Sequence, residues 1–488
     1  MADDPGGAST TARRGKGGAR RGNRPGGGDP RRGGAHDAPK PGLPARLAAA
    51  KLLGAVVDAH TALDGLTDDA HGHPAYLALD PRDRALVRAI LLSALRHRNT
   101  IEAVIAHRLD RPLPGGARSL QHHLHVALAQ ILLLDVPDSA AVDLGVEAVA
   151  RDPRGARFRG LANAILRRVA RERERVLEWM SRQVPRPPDW LETALVDAYG
   201  RERTAAVLSI HAVEAPLDLT PRHDPTEWAA RLGGTELPTG TVRLSRPEGP
   251  VTMLPGFEEG AWWVQDAAAS LPARLLGDVT GTRTLDLCAA PGGKTAQLCA
   301  AGGQVTAVEL NANRARRLEA NLARLSLDAR IVIGDATKLS LDELGGEAFD
   351  AVLLDAPCSS TGTIRRHPDV AWTKTPEDVA RLAALQARLL SAAAELVAPG
   401  GRLVFANCSL LPEEGEALTG AFAATHPEFV LEPVAAGELG DDAALREMIV
   451  RDGAAAGTLR TTPDMLRMGE PAASGLDGFH AARFRRRG

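Results

Sequence analysis

Two cysteines and a row of carboxylates carry the chemistry this sequence can offer. Cys358 stands in DAPCSSTG and Cys408 in ANCSLLPEEGE, each directly after an apolar segment with a strand pattern. A free cysteine is most often inert packing, but one that follows a strand end in a polar loop can expose and activate its thiolate. Both loops follow adjacent strands, so position alone does not choose the nucleophile. Cys288 and Cys299 read as packing, the first ending a buried strand and the second facing inward from the next helix. No two of the four cysteines form a CxxC pair, which disfavours a zinc ribbon or a thioredoxin site, and no metal is expected.

A ligand-binding turn precedes these loops. Residues 285–295 read LDLCAAPGGKT, an apolar strand running into a Pro-Gly-Gly turn that opens a helix at Thr295. Such a turn lets the backbone approach a ligand closely and aims helix N–H groups at negative charge. It is not a P-loop, because Cys288 stands where that loop needs its first glycine, and the dinucleotide pattern GxGxxG is absent. Weight comes from the acids that follow: Glu309 ends the second strand, seventeen residues after Gly292, Asp335 ends the third and Asp355 the fourth. An acid at the first of these positions can bind both hydroxyls of a ribose, and all three fall on the carboxyl edge, where open α/β sheets bind ligands. Any one alone reads as a loop acid or a helix cap.

The elements that position these residues belong to a chain of 488 residues, long enough for several domains and a sizeable core. Residues 1–42 are a Gly/Arg-rich tail with nine Lys and Arg against four Asp, too poor in apolar area to fold. The whole chain carries a net charge of −2, so the rest of it is mildly acidic. Residues 43–182 repeat apolar positions at helical spacing, as in ALVRAILLSALRH and LANAILRRVARERERVL, and predict five to seven packed helices. Residues 183–275 open on Pro185, Pro187 and Pro188 as a linker and continue as a small α+β subdomain. Residues 276–488 alternate apolar strands with helices, the pattern of a largely parallel, doubly wound Rossmann-like sheet. No apolar run is long enough to span a membrane and no apolar leader is present, so a cytoplasmic chain without a membrane partner is expected; a monomer is expected as well.

LDLCAAPGGKT, DAPCSSTG and NCSLLPEEGE, in that order and spacing, resemble the RNA cytosine-5 methyltransferases of the RsmB/NOP2/Sun family. IRRHPDVAW at 364–372 and GLDGFHAARF near the C-terminus resemble its bacterial ribosomal RNA branch, and the helical region resembles that branch's NusB-like RNA-binding domain. There are two departures. Asn407 stands where the family usually has Thr before the second motif cysteine, and Glu309 stands where it often has Asp.

The resemblance implies a class I methyltransferase domain that uses S-adenosylmethionine, held by Cys288, Ala289, Ala290, Pro291, Gly292, Gly293 and Lys294 of the turn with Glu309, Arg314, Asp335 and Asp355. It implies Cys408 as nucleophile and Cys358 as the residue that helps release product, with Asp355 at N3 of the base and Lys294 supplying positive charge. The chemistry fits these residue types. C5 of cytosine is a poor nucleophile, and a thiolate adding to C6 turns the ring into an enamine-like species that can attack a sulfonium methyl. The base must be unstacked, which single-stranded loops of folded RNA permit most cheaply. Arg365, Arg366 and His367 near the mouth, and Arg159, Arg167 and Arg168 on a helix of the NusB-like region, are the expected RNA contacts. The expected substrate is ribosomal RNA, 16S rRNA first. The alternatives are the same chemistry on tRNA, a DNA cytosine methyltransferase with a Pro357-Cys358 nucleophile, and a non-catalytic RNA-binding protein on a methyltransferase scaffold.

Overall fold

The computed structural model describes residues 40–245, 249–435, 437–440 and 442–488; the expected tail lies, up to residue 39, outside the described residues. Seven helices of nine or more residues fold the first domain: Leu43–Ala59, Pro81–Arg96, Arg98–Ala106, Arg118–Leu133, Asp138–Arg151, Arg159–Arg171 and Arg173–Ser181. Pro81 starts its helix with φ already set, and the Asp80 side chain accepts from the Asp83 N–H at 2.8 Å, filling one orphan donor of the first turn. Helix Arg118–Leu133 runs through the middle and is buried almost all round, with Leu124, Leu128 and Ile131 packed against Leu52, Leu53, Ile90 and Leu166.

The proline-rich stretch after residue 182 is only briefly a linker. Pro188 is followed at once by a helix, Asp189–His211, bent at Gly200, where φ is +76°. Then comes a small antiparallel sheet of β1 (Leu217–Pro221), β2 (Thr235–Glu236), β3 (Val242–Leu244) and β4 (Trp262–Val264) in the order β2-β3-β1-β4.

The main sheet is built from β5 (Arg283–Leu287), β6 (Gln304–Glu309), β7 (Arg330–Ile333), β8 (Phe349–Asp355), β9 (Val397–Asn407), β10 (Phe429–Leu431), β11 (Leu459–Thr461) and β12 (Phe479–Arg486). Its order is β10-β12-β9-β8-β5-β6-β7, with β11 also paired to β12. β5 to β9 are mutually parallel, whereas β12 runs antiparallel to β9 and places His480 opposite Asn407. Helices cover both faces, which is why Leu285, Leu287 and Val352–Leu354 are buried in unbroken runs. Helix Pro376–Glu395 starts at a capping box between Thr375 and Asp378.

The first domain rests on the segment that follows Cys358. The Arg96 guanidinium donates to the Arg365 carbonyl at 2.8 Å, the Leu63 N–H donates to Asp369 Oδ2 at 3.0 Å, and the Trp372 indole donates to the Leu95 carbonyl at 3.0 Å. The other face of this segment meets a buried ionic cluster. Arg243, 1% exposed, makes a two-pronged pair with Asp218 at 2.8 and 2.7 Å, and Arg366 reaches Asp266 and Asp477. Arg365 is also 1% exposed and donates to the carbonyls of Val213, Glu214 and Ser474. The expectation that Arg365 and Arg366 meet RNA phosphates is therefore corrected: both guanidiniums are spent inside the protein, tying the segment after Cys358 to the small sheet and the C-terminal strap. His367 is partly exposed but faces Asp64 of the first domain at 3.8 Å.

Among the described residues no helix is long and apolar enough to cross a membrane, and no cluster of three or more His, Cys, Asp or Glu side chains could hold a metal ion. Removing Arg243 would take both close partners from the buried Asp218 carboxylate, leaving it the Ala267 N–H at 3.1 Å and Arg366 at 3.8 Å. Arg243→Ala is expected to cost about 3–5 kcal/mol, lowering the melting temperature by roughly 10 °C. Arg154→Ala, on the exposed surface, is expected to stay within about 0.5 kcal/mol of wild type. Thermal unfolding of the two variants side by side checks the contrast; equal melting temperatures would show that the cluster is not structural.

Candidate active site

β5, β6, β8 and β9 end at one edge and deliver the site residues. The turn after β5 is shaped by its backbone. Cys288 takes φ +62°, the Ala290–Pro291 bond is cis, and Gly292 takes φ +105°. That φ favours glycine, and a Cβ at Gly292 would in addition lie 2.4 Å from Leu318 Cδ1 of helix Ala312–Arg324, which would have to move. Glu309, 2% exposed at the end of β6, is held through its carboxylate by the N–H groups of Ala290 at 3.3 Å and Asn311 at 3.0 Å. Arg314 donates to the Ala290 carbonyl at 2.6 Å and lies 3.6 Å from Glu309, so this helix arginine is tied to the turn. Asp355, the last residue of β8, pairs with Lys294 at 2.7 Å, and the Lys294 ammonium sits 4.8 Å from the centre of the Phe479 ring. Asp335 lies two residues beyond β7; hydrogen bonds from the Thr337 side chain and backbone N–H hold its carboxyl below the ordinary range.

One acid beside this turn is not marked by the motif spacing. Asp286, in the middle of β5, is fully buried, and its only hydrogen-bond donor is the Thr295 hydroxyl at 2.6 Å on one oxygen. Burial pushes its carboxyl up to about 7, and the charges of Asp355 and Glu309 add to the push. Burial beside the same three acids pushes the Cys288 thiol up to about 12. Cys288 and Cys299 are thus protonated packing groups; burial holds the Cys299 thiol at about 12 as well. An acid set between Leu285 and Leu287 is the local sign for Asp286.

The two loop cysteines meet. Cys358 Sγ and Cys408 Sγ are 3.4 Å apart as free thiols. The contact with Cys408 and complete burial hold the Cys358 thiol well above its ordinary range, in its protonated form. Their loops are bolted together by Glu414, which is completely buried. Its carboxylate accepts from the Ser359 N–H at 2.9 Å, from the Ser359 hydroxyl, and from the Gln386 amide at 2.9 Å. Asn407 completes the clamp: its amide donates to the Glu414 carbonyl at 2.6 Å and to Gln386 at 3.2 Å, while its oxygen accepts from the Ser409 N–H at 3.1 Å. Gly362 closes the gap to the last strand. Its N–H donates to the Cys408 carbonyl and its carbonyl accepts from the Gly478 N–H, both at 2.9 Å, and a Cβ there would fall 2.0 Å from the Gly478 oxygen.

Of the RNA contacts expected on the first domain, Arg159, Arg167 and Arg168 are exposed on helix Arg159–Arg171. Arg167 donates to Asn163 at 2.8 Å, and Arg168 pairs with Glu172 at 3.2 Å.

Two family profiles match parts of the chain. The profile of the NusB family matches residues 43–171, and that of the 16S rRNA methyltransferase RsmB/F family matches residues 273–485. Ribosomal RNA small subunit methyltransferase B of Vibrio vulnificus (strain YJ016) is 37% identical over 397 residues, which cover 78% of this chain and 91% of that protein. The protein of the same name from Xanthomonas campestris pv. campestris is 36% identical over 413 residues, 81% of this chain and 91% of its own length. The crystal structure of PH0851 superposes with a TM-score of 0.65 over 91% of this chain and 98% of its own, at 22% identity, and so shares the fold. The paired cysteine loops, the carboxylate-lined turn and this similarity along most of the chain have one reading: the protein belongs to the RsmB/F family of 16S rRNA methyltransferases.

Proposed function

We propose that this chain methylates C5 of a cytosine in ribosomal RNA, 16S rRNA first, through a covalent bond between Cys408 and C6 of the base. The observation that carries the reading is the meeting of two free thiols, 3.4 Å apart, at the sheet edge that also holds the Lys294–Asp355 pair. The relatives' names as small-subunit ribosomal RNA methyltransferases support the substrate class.

The pocket suits S-adenosylmethionine. Asp286, Glu309 and Asp355 interact electrostatically around the turn, Asp335 lies beyond the next strand, and acids in this number favour a sulfonium cation and an ammonium. Glu309 faces the turn as a ribose-diol acceptor should. When bound, S-adenosylmethionine supplies the methyl group. The chain's own groups do the rest. The Cys408 thiolate adds to C6, and its electron pair moves through the ring toward N3 and C5. Asp355 stands to meet N3, and Lys294 holds Asp355 in place while offset by it. After transfer the C5 proton passes to solvent water, its electron pair restores the C5–C6 double bond, and the C6–S pair returns to Cys408 as thiolate. Cys358, kept protonated beside Cys408, assists that release.

The division of labour between the cysteines is tested on a denaturing gel with labelled RNA and S-adenosylmethionine. Cys358→Ala is expected to accumulate a covalent protein–RNA adduct, while Cys408→Ala and the double variant show none. Adduct in Cys408→Ala but not in Cys358→Ala would reverse the roles. The cofactor pocket is tested without RNA: Asp335→Ala and Glu309→Ala are expected to bind S-adenosylmethionine at least about tenfold more weakly than wild type, each losing hydrogen bonds to a charged group. Calorimetry checks this, and equal affinities would remove both residues from the pocket.

A further inference from the structure

The first domain carries a second cavity, far from the cysteine loops in sequence, that the mechanism does not use. It measures about 420 Å³ and opens between helices Arg98–Ala106, Arg159–Arg171 and Arg173–Ser181. Three guanidiniums converge there on one carboxylate. Arg108 lies 2.8 Å from Glu172, Arg168 at 3.2 Å and Arg175 at 3.3 Å, so the site keeps a surplus of positive charge. Arg108 is largely buried, whereas Arg168 and Arg175 are exposed by 51% and 76% and can turn toward a ligand. Trp179 and His107 form an aromatic corner, their ring centres 6.0 Å apart and nearly perpendicular, against the side chains of Val104 and Val176. The surrounding segment is the most basic of the described chain: residues 151–182 hold ten arginines and four acids, in a protein whose net charge is −2.

An aromatic face beside exposed guanidiniums is the chemistry that holds an unpaired nucleotide, with the base stacked and the backbone phosphate paired. The cavity has the volume for one nucleotide and lies within the range of built ligand sites. We propose that this cavity binds an unpaired nucleotide of the RNA substrate, its base against Trp179 and His107 and its phosphate on Arg168 and Arg175. Glu172 gathers the guanidiniums in the free protein and lets the exposed two swing onto the phosphate. The proposal rests on the reading that the chain acts on RNA, and it adds a second point of hold on that RNA, on the helical domain.

The test uses the full chain and a fluorescent RNA hairpin with an unpaired loop, the same hairpin with abasic loop residues, and a fully paired duplex. Arg168→Ala/Arg175→Ala is expected to weaken hairpin binding roughly tenfold and to reduce the slope of log affinity against log salt by about 0.7, one phosphate's worth. Trp179→Ala is expected to lose about fivefold or more on the intact hairpin and nothing on the abasic one or the duplex, with Trp179→Phe restoring the loss. S-adenosylmethionine affinity, measured in parallel, is expected to be unchanged in every variant, which reports that the fold is intact. If wild type methylates RNA while the arginine and tryptophan variants bind the hairpin with wild-type affinity and salt slope, the nucleotide pocket is overturned and the proposed function stands. A wild-type chain with no affinity for any of the three RNAs overturns both.

Discussion

The buried carboxylate of Glu414 is the constraint on which the rest of the site depends. A charge without water is tolerated only when donors surround it, and here they come from Ser359 and Gln386. Ser359 follows Cys358 directly and Glu414 lies six residues past Cys408, so satisfying this one group brings two loops from different strands to a fixed separation. Asn407 feeds the same knot from the end of β9, which gives the asparagine a defined place: its single amide bridges Glu414 and Gln386 and its oxygen fixes Ser409. Two thiols in contact are the outcome.

A second layer of support reaches the cysteine loops from outside the sheet. The segment from Gly362 to Trp372 is gripped by the C-terminal strand at Gly478, by the small sheet through the Arg366 cluster, and by the first domain through Arg96, Leu63 and Leu95. The helical domain therefore directly touches the segment that follows the Cys358 loop.

Much of this was legible in the sequence, for a physical reason. The Gly292 turn, the acids at Glu309 and Asp355 and the cysteines at 358 and 408 are bound to strand ends, and strand ends follow from apolar runs. The seven helices of the first domain follow from spacing in the same way. What was not legible depends on partners distant in the chain. Arg365 and Arg366 have the composition of a phosphate-binding pair, and nothing local shows that carbonyls near residues 213 and 474 and the acids 266 and 477 will consume them. The helix Asp189–His211 hides behind three prolines, which mark a turn at 185–188 but say nothing against a helix starting on the last of them. β12 carries arginines at 483, 485 and 486 and so lacks the apolar run that marked the parallel strands. Arg483 is nonetheless buried against Glu432 and Glu438.

In the proposed reaction the thiol pair serves a methyl transfer to carbon 5 of cytosine. Nucleoside mass spectrometry on small-subunit ribosomal RNA, incubated with the protein and S-adenosylmethionine bearing a deuterated methyl group, addresses it most directly. Deuterated 5-methylcytidine is expected as the one labelled nucleoside, absent when Cys408 is replaced. Label in N4-methylcytidine, in a methylated purine or on a ribose, or label that persists without Cys408, would contradict it.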